Sequence, residues 1–226
     1  SKLNLPGRQE EMILRLAATG KPVVVVLFGG SAITMSKWLD KASAVLCAWY
    51  PGEAGGEAIA DILFGNTNPS GKLPITFPVN EGQLPLTYNH KPTGRGDDYA
   101  DGSGQALFPF GYGLSYSSFE YSNGHVDGYT VSFDIRNTGK YDGDEVVQLY
   151  IHDEIASVAQ PVKSLKAFQR VSLKAGEMKR IKFDITPGML RILNDKMKWV
   201  VEPGVFRIMI GSSSKDIRIR ELIEVK

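Results

Sequence analysis

Two apolar runs, PVVVVLF at 22–28 and SAVLCAW at 43–49, constrain this chain more than anything else in it. Each is continuous rather than alternating, as expected of a parallel strand covered on both faces. Before the first, RQEEMILRLAAT (8–19) places Met12, Ile13, Leu16 and Ala17 on one helical face, and Gly20 follows as a terminator. SKWLDKAS (36–43) reads as a short crossing helix, and Gly55 to Phe64 as a second amphipathic helix closed by Gly65. The alternation is that of a doubly wound α/β layer. Yet only two such strands are present, and a parallel sheet that small neither covers its edges nor builds a core of its own. The expectation is a partial α/β layer, completed by strands from another segment.

From residue 66 the texture changes. NTNPSGKLPITFPVNEGQLP is dense in Pro, Gly and Asn and reads as turns with short extended pieces. A long polar connection with aromatic ends follows, YNHKPTGRGDDYADGSGQALFPFGYGLSY (88–116). Beyond it the period becomes two: YTVSFDIRNTG, DEVVQLYIHD, MKRIKFDIT, GVFRIMIGSSS and IRIRELIEV all alternate, with turn chemistry in NTGKYDGDE and LKAGEMK. That pattern predicts an antiparallel all-β sandwich of the fibronectin-III/immunoglobulin type. The basic residues Lys163, Lys166, Arg170, Lys174, Lys179, Arg180 and Lys182 alternate with apolar ones, as on the solvated face of a strand.

Composition removes several function classes. With 226 residues, 42% hydrophobic and 23% charged, the chain is long enough for one large domain or two small ones. A formal net charge of +1 gives no reason to expect nucleic acid or an anionic membrane as partner. No apolar stretch has the length of a membrane span. No leader pattern opens the chain, which bears on compartment only if residue 1 is the true start. The single cysteine, Cys47, lies in the apolar run AVLCAW, so it is expected to be a buried structural thiol.

Together the segments LNLPGRQEEMI, GKPVVVVLFGG, WYPGEAGGEAIADILFG, NPSGKLPITFP, YNHKPTGR, LFPFGYGLSYSSFEY, NTGKYDGDEVVQLYI, PVKSLKAFQRVSLKAGE and WVVEPGVFRIMIG resemble, in that order, the C-terminal part of a glycoside hydrolase family three enzyme of the bacterial β-glucosidase type. The resemblance implies a TIM-like barrel, an α/β sandwich domain and a fibronectin-III-like domain. Residues 1–88 would be the C-terminal part of the α/β domain, 89–115 a Gly- and aromatic-rich linker, and 116–226 the fibronectin-like sandwich. It implies hydrolysis of terminal β-linked glucosyl residues with retention, through a covalent glycosyl-enzyme. The family's nucleophile is an aspartate of the barrel, and its acid/base glutamate lies on a loop shortly before the stretch matching SKLNLPGRQ. Neither carries over to a residue of this chain, so the chain alone is expected to be inactive and to need the upstream barrel and α/β segment. β-Linked glucosides or oligosaccharides are the implied substrates, with no cofactor. A second copy of the chain is the alternative cover for the open sheet. The family suggests the periplasm or secretion, with the cytoplasm as alternative.

Candidate sites follow from carboxylates beside aromatics, the chemistry that breaks sugar acetals. In WYPGEAGGEAIADILFG, Glu53 follows the C-terminal end of a strand, where open α/β sheets place their ligand crevice. Against that, Glu53 and Glu57 fall before and within the first turn of a helix, where negative charge suits the macrodipole. The expected role is a helix start on the rim of a cleft, with Asp61 solvated or paired locally. In RGDDYADGSG, Arg95, Asp97, Asp98 and Tyr99 combine a fork donor, carboxylates and an aromatic plate. They read either as a solvated surface loop or as a lip over the barrel's sugar site. Glu53, Arg95, Asp98 and Tyr99 are therefore the candidate substrate contacts.

GGS at 29–31 lacks dinucleotide-binding spacing, and Ser31 is expected to cap the next helix. His90, His125 and His152 lack metal-ligand spacing. Trp49, Phe108, Phe110, Tyr112 and Tyr116 read as a hydrophobic seam between linker and sandwich, or as a sugar platform. The competing function class is a non-catalytic carbohydrate-binding or scaffolding module, which would have no use for half a parallel sheet with an open edge.

Overall fold

A computed structural model describes residues 2–93 and 102–226. The chain forms two compact units, which exchange segments. One consists of residues 1–67, 75–86 and 97–108; the other of 68–74, 87–96 and 109–226.

In the first unit, helix α1 (Gln9–Ala17) precedes strand β1 (Val24–Phe28), strand β2 (Ala44–Trp49) and helix α2 (Gly55–Leu63). The strands pair in parallel, Val24 opposite Ala44 and Leu27 opposite Cys47, as a sheet of two. The unit's buried large apolar side chains are Leu5, Ile13, Leu27, Met35, Trp38 and Phe77. The expected cover on both faces of the strands is missing here: Val24 is 50% exposed and Phe28 61%. Two strands and two short helices do not have the area to enclose them. Apolar side chains stay open elsewhere too, with Tyr50 80% and Phe64 83% exposed. Met12 and Leu16 of α1 are likewise exposed, leaving Ile13 as the helix's buried residue. The predicted crossing helix shrinks to one 3-10 turn, Leu39–Lys41. Ser31 therefore caps nothing; it is exposed, and the 3-10 turn begins after Trp38 with no side-chain cap.

The second unit carries β3 (Phe119–Asp127), β4 (Thr130–Asn137), β5 (Gly143–Asp153), β6 (Ser164–Leu173) and β7 (Met178–Asp184). After the one-turn helix α3 (Pro187–Leu190) come β8 (Ile192–Leu193), β9 (Trp199–Val200), β10 (Gly204–Gly211) and β11 (Ile217–Val225). Antiparallel sheets in the orders β11-β10-β5-β6 and β3-β4-β7 make the sandwich, and β8 with β9 makes a separate ribbon. The period-two pattern explains the core directly. Val131, Phe133 and Ile135 of β4, Val147, Leu149 and Ile151 of β5, and Phe206, Ile208 and Ile210 of β10 all point inward and bury fully or nearly so. Lys163 and Lys166 depart from the expected solvated face. Both are half-buried, burial pushes both amines down, and Lys163 donates to the Ser214 carbonyl at 2.7 Å.

Candidate functional site

The C-terminal ends of β1 and β2 lie side by side, joined where the Gly29 amide donates to the Trp49 carbonyl at 3.2 Å. At this edge an open parallel sheet offers its crevice. Trp49 sits at φ +53°, unusual for a bulky residue, so the chain leaves β2 through a sharp turn. The next residue, Tyr50, folds over the loop after β1. A Cβ on Gly30 would meet Tyr50 Cε2 at 2.7 Å and its hydroxyl at 2.9 Å, so a larger residue there would push the exposed Tyr50 ring aside.

Glu53 follows in the turn before α2, fully outside the helix, and its side chain is exposed. Glu57 occupies the first turn of α2, also exposed, where its charge complements the amide-rich helix end. No side chain caps α2, and Ala54 stands at the cap position. Asp61 accepts from Asn66 Nδ2 at 3.1 Å, one of the roles expected of it. These acids thus run along a helix start, Glu53 before it and Glu57 and Asp61 one turn apart on it. Arg95, Asp98 and Tyr99, like Asp97, lie outside the described residues.

Cys47 is half-buried rather than buried, because β2 keeps one side open; burial pushes its thiol up, away from the reactive thiolate. His90 Nδ1 lies 3.0 Å from the Lys91 carbonyl and His152 Nδ1 lies 2.9 Å from that of Pro161. Among the described residues, no group of three His, Cys, Asp or Glu side chains could hold a metal ion.

The aromatics divide between the units. Trp49 meets Phe77 edge to face at 6.1 Å, and Phe77 meets Phe108 likewise at 6.4 Å. In the second unit Phe110 stacks on Tyr88 at 4.3 Å, and Tyr88 stands edge-on to Tyr150 of β5 at 5.8 Å. Phe110 therefore forms the expected seam of linker against sandwich, whereas Trp49 and Phe108 pack within the α/β unit.

Residues 1–116 match the glycosyl hydrolase family 3 C-terminal domain, just over half the chain. The chain belongs to glycosyl hydrolase family 3. Residues 145–214 match the fibronectin type III-like domain. A β-xylosidase of Formosa agariphila is 43% identical over 94% of this chain, and a periplasmic β-glucosidase of Salmonella typhimurium 42% identical over 96%. The chain spans 31% of the length of each of these relatives. The crystal structure of a β-glucosidase from Listeria innocua in complex with glucose superposes with a TM-score of 0.94 at 36% identity, covering 99% of this chain and 34% of that one.

Within the family's C-terminal region, two of the motifs quoted from the sequence hold the sandwich unit together. In NPSGKLP, Asn68 donates to the Asp142 carbonyl and accepts from Ser115 Oγ and the Tyr116 amide. Lys72 reaches Glu145 at 3.2 Å and the Gly113 carbonyl at 3.3 Å, and Tyr121 donates to the same carboxylate at 2.9 Å. In FPFGYGL, Gly111 adopts φ +81°, and a Cβ there would overlap Gln148 Oε1. Gln148 Nε2 donates to the carbonyls of Gly111 and Ser212. These clasps were legible only as motifs; no periodicity announces a buried lysine.

Proposed function

We propose that this chain is the C-terminal portion of a retaining β-glucosidase, an exo-hydrolase of terminal β-glucosyl residues. The observation that carries the reading is the two-stranded parallel sheet with its apolar faces open, in a family member spanning about a third of its relatives. Such a layer serves as part of a larger domain. On this reading residues 1–88 complete an α/β domain, 89–115 link it onward, and 116–226 form the fibronectin-like module.

Both catalytic carboxylates lie outside this chain. A barrel aspartate attacks the anomeric carbon, a glutamate protonates the leaving oxygen, and activated water then releases the sugar. Glu53, Arg95, Asp98 and Tyr99 are the proposed substrate contacts within this chain. The name of the Salmonella relative supports export to the periplasm or beyond. Glucosides rather than xylosides are the favoured substrates, since β-glucosidases recur among the structural neighbours.

Trapping the covalent intermediate tests the proposal. The full-length polypeptide is inactivated with a 2-deoxy-2-fluoro-glucoside, digested and mapped. A labelled aspartate outside residues 1–226 supports the reading; a label on Glu53, Glu57 or any other residue of this chain overturns it.

A further inference from the structure

At the end of the sandwich where β5 stops and β6 begins, a cavity of about 30 Å³ opens toward α3 and β8. Its inner wall is apolar, with Ile151, Leu190 and Phe206 all buried. Its polar lining includes Asp153, Lys166 and Arg191. Asp153 is only 8% exposed, and its Oδ2 has no hydrogen-bond partner, while Oδ1 accepts from the Ile155 amide at 3.2 Å. Such an orphaned oxygen costs free energy until a hydroxyl or water donates to it.

The two cations are unmatched. Among the described residues no carboxylate forms an ion pair with Lys166 or Arg191. Asp153 is the carboxylate that shares the lining, and it forms no ion pair with either cation; the acids that act on Asp153 are engaged elsewhere, Glu154 with Arg207 at 2.6 Å and Glu202 with the Ser157 amide at 2.8 Å. Lys166 is half-buried, and both burial and the neighbouring Arg191 oppose its charge, so an anion placed between them relieves both cations.

Beside them stands an aromatic plate. The Arg191 guanidinium lies 4.8 Å from the Trp199 ring centroid, yet Trp199 is still 61% exposed. Trp199 pairs with Leu193 across the β8–β9 ribbon, whose turn is held by Asn194 Oδ1 accepting from the Lys196 and Lys198 amides, each at 3.0 Å. The plate is thus presented preformed, which lowers the ordering cost of binding.

We propose that this corner binds an acidic sugar: a uronic-acid residue of a polysaccharide, its ring against Trp199 and its carboxylate between Lys166 and Arg191. The cavity is too small for a ring but admits one hydroxyl or water to Asp153. Neutral sugars would leave the cation pair uncompensated. A simple anion would leave the plate unused. The inference does not depend on the glycosidase reading.

The test is calorimetric titration of the full-length polypeptide with a glucuronic-acid-bearing oligosaccharide and with its neutral counterpart. The acidic ligand binds at least about 10-fold more tightly, and binding weakens with salt. Trp199→Ala and Lys166→Gln each weaken it by about 10-fold or more, with unchanged melting temperature. Equal affinity for the two oligosaccharides overturns the proposal. So does wild-type affinity in both variants, or displacement of the oligosaccharide by an equal concentration of inorganic phosphate.

Discussion

Lys72 crosses from the NPSGKLP segment to Glu145 of β5, and both side chains are nearly out of water, 13% and 4% exposed. Removing the cation alone strands a buried carboxylate whose remaining donor is Tyr121. Lys72→Met should therefore cost about 3 kcal/mol or more at neutral pH, measured by denaturant unfolding of the sandwich, and adding Glu145→Gln should restore much of it. Asp153 behaves in the opposite sense. Burial is the main cause raising its carboxyl above the ordinary range, reinforced by Glu202. A raised acid contributes stability that is complete below the unfolded pKa and lost as pH rises through the folded one. Asp153→Asn should thus match the wild type in acid and equal or exceed it in stability near pH 7, by thermal unfolding across that range. Asp134, Asp144 and Asp216 run the other way. Their partners, Asn123, Ser172 and Arg218 first among them, hold these carboxyls low, so their contribution disappears on acidification.

At the scale of elements, reading and structure agree where the hydrophobic period is clean, and part where geometry interrupts it. The named alternating segments became β4, β5, β7, β10 and β11. β3 has no clean pattern in FEYSNGHVD, because Asn123 takes φ +53° and the register with β4 slips between Ser122 and His125. β6 also slips register against β5 and carries Phe168 on its outer face, 68% exposed, which hides the inward set. The continuous runs of β1 and β2 announced parallel strands, but not how little of them this chain would cover. Glu53 was legible as a residue before a helix; the Tyr50–Gly30 approach beside it was not, since it joins loops that no local period connects. Phe28 turns the open sheet into a measurement. Phe28→Ser should change the stability of this chain alone by less than about 0.5 kcal/mol, because the side chain is already exposed. If further strands of a longer polypeptide cover it, as proposed, the same change should cost about 2 kcal/mol there.

For the whole molecule, the family, the sandwich and the incomplete α/β layer make one account. The carboxylates that follow β2 are Glu53, exposed in the turn before α2, and Glu57 and Asp61 on that helix. On the proposed reading, the glycosidase chemistry comes from another part of a longer polypeptide. The most direct test is to assay this chain by itself, folded and monodisperse, with an aryl β-glucoside beside the full-length polypeptide. The account predicts no hydrolysis above the buffer rate for the chain and normal turnover for the longer protein. Turnover by the chain alone at an ordinary enzymatic rate would contradict it.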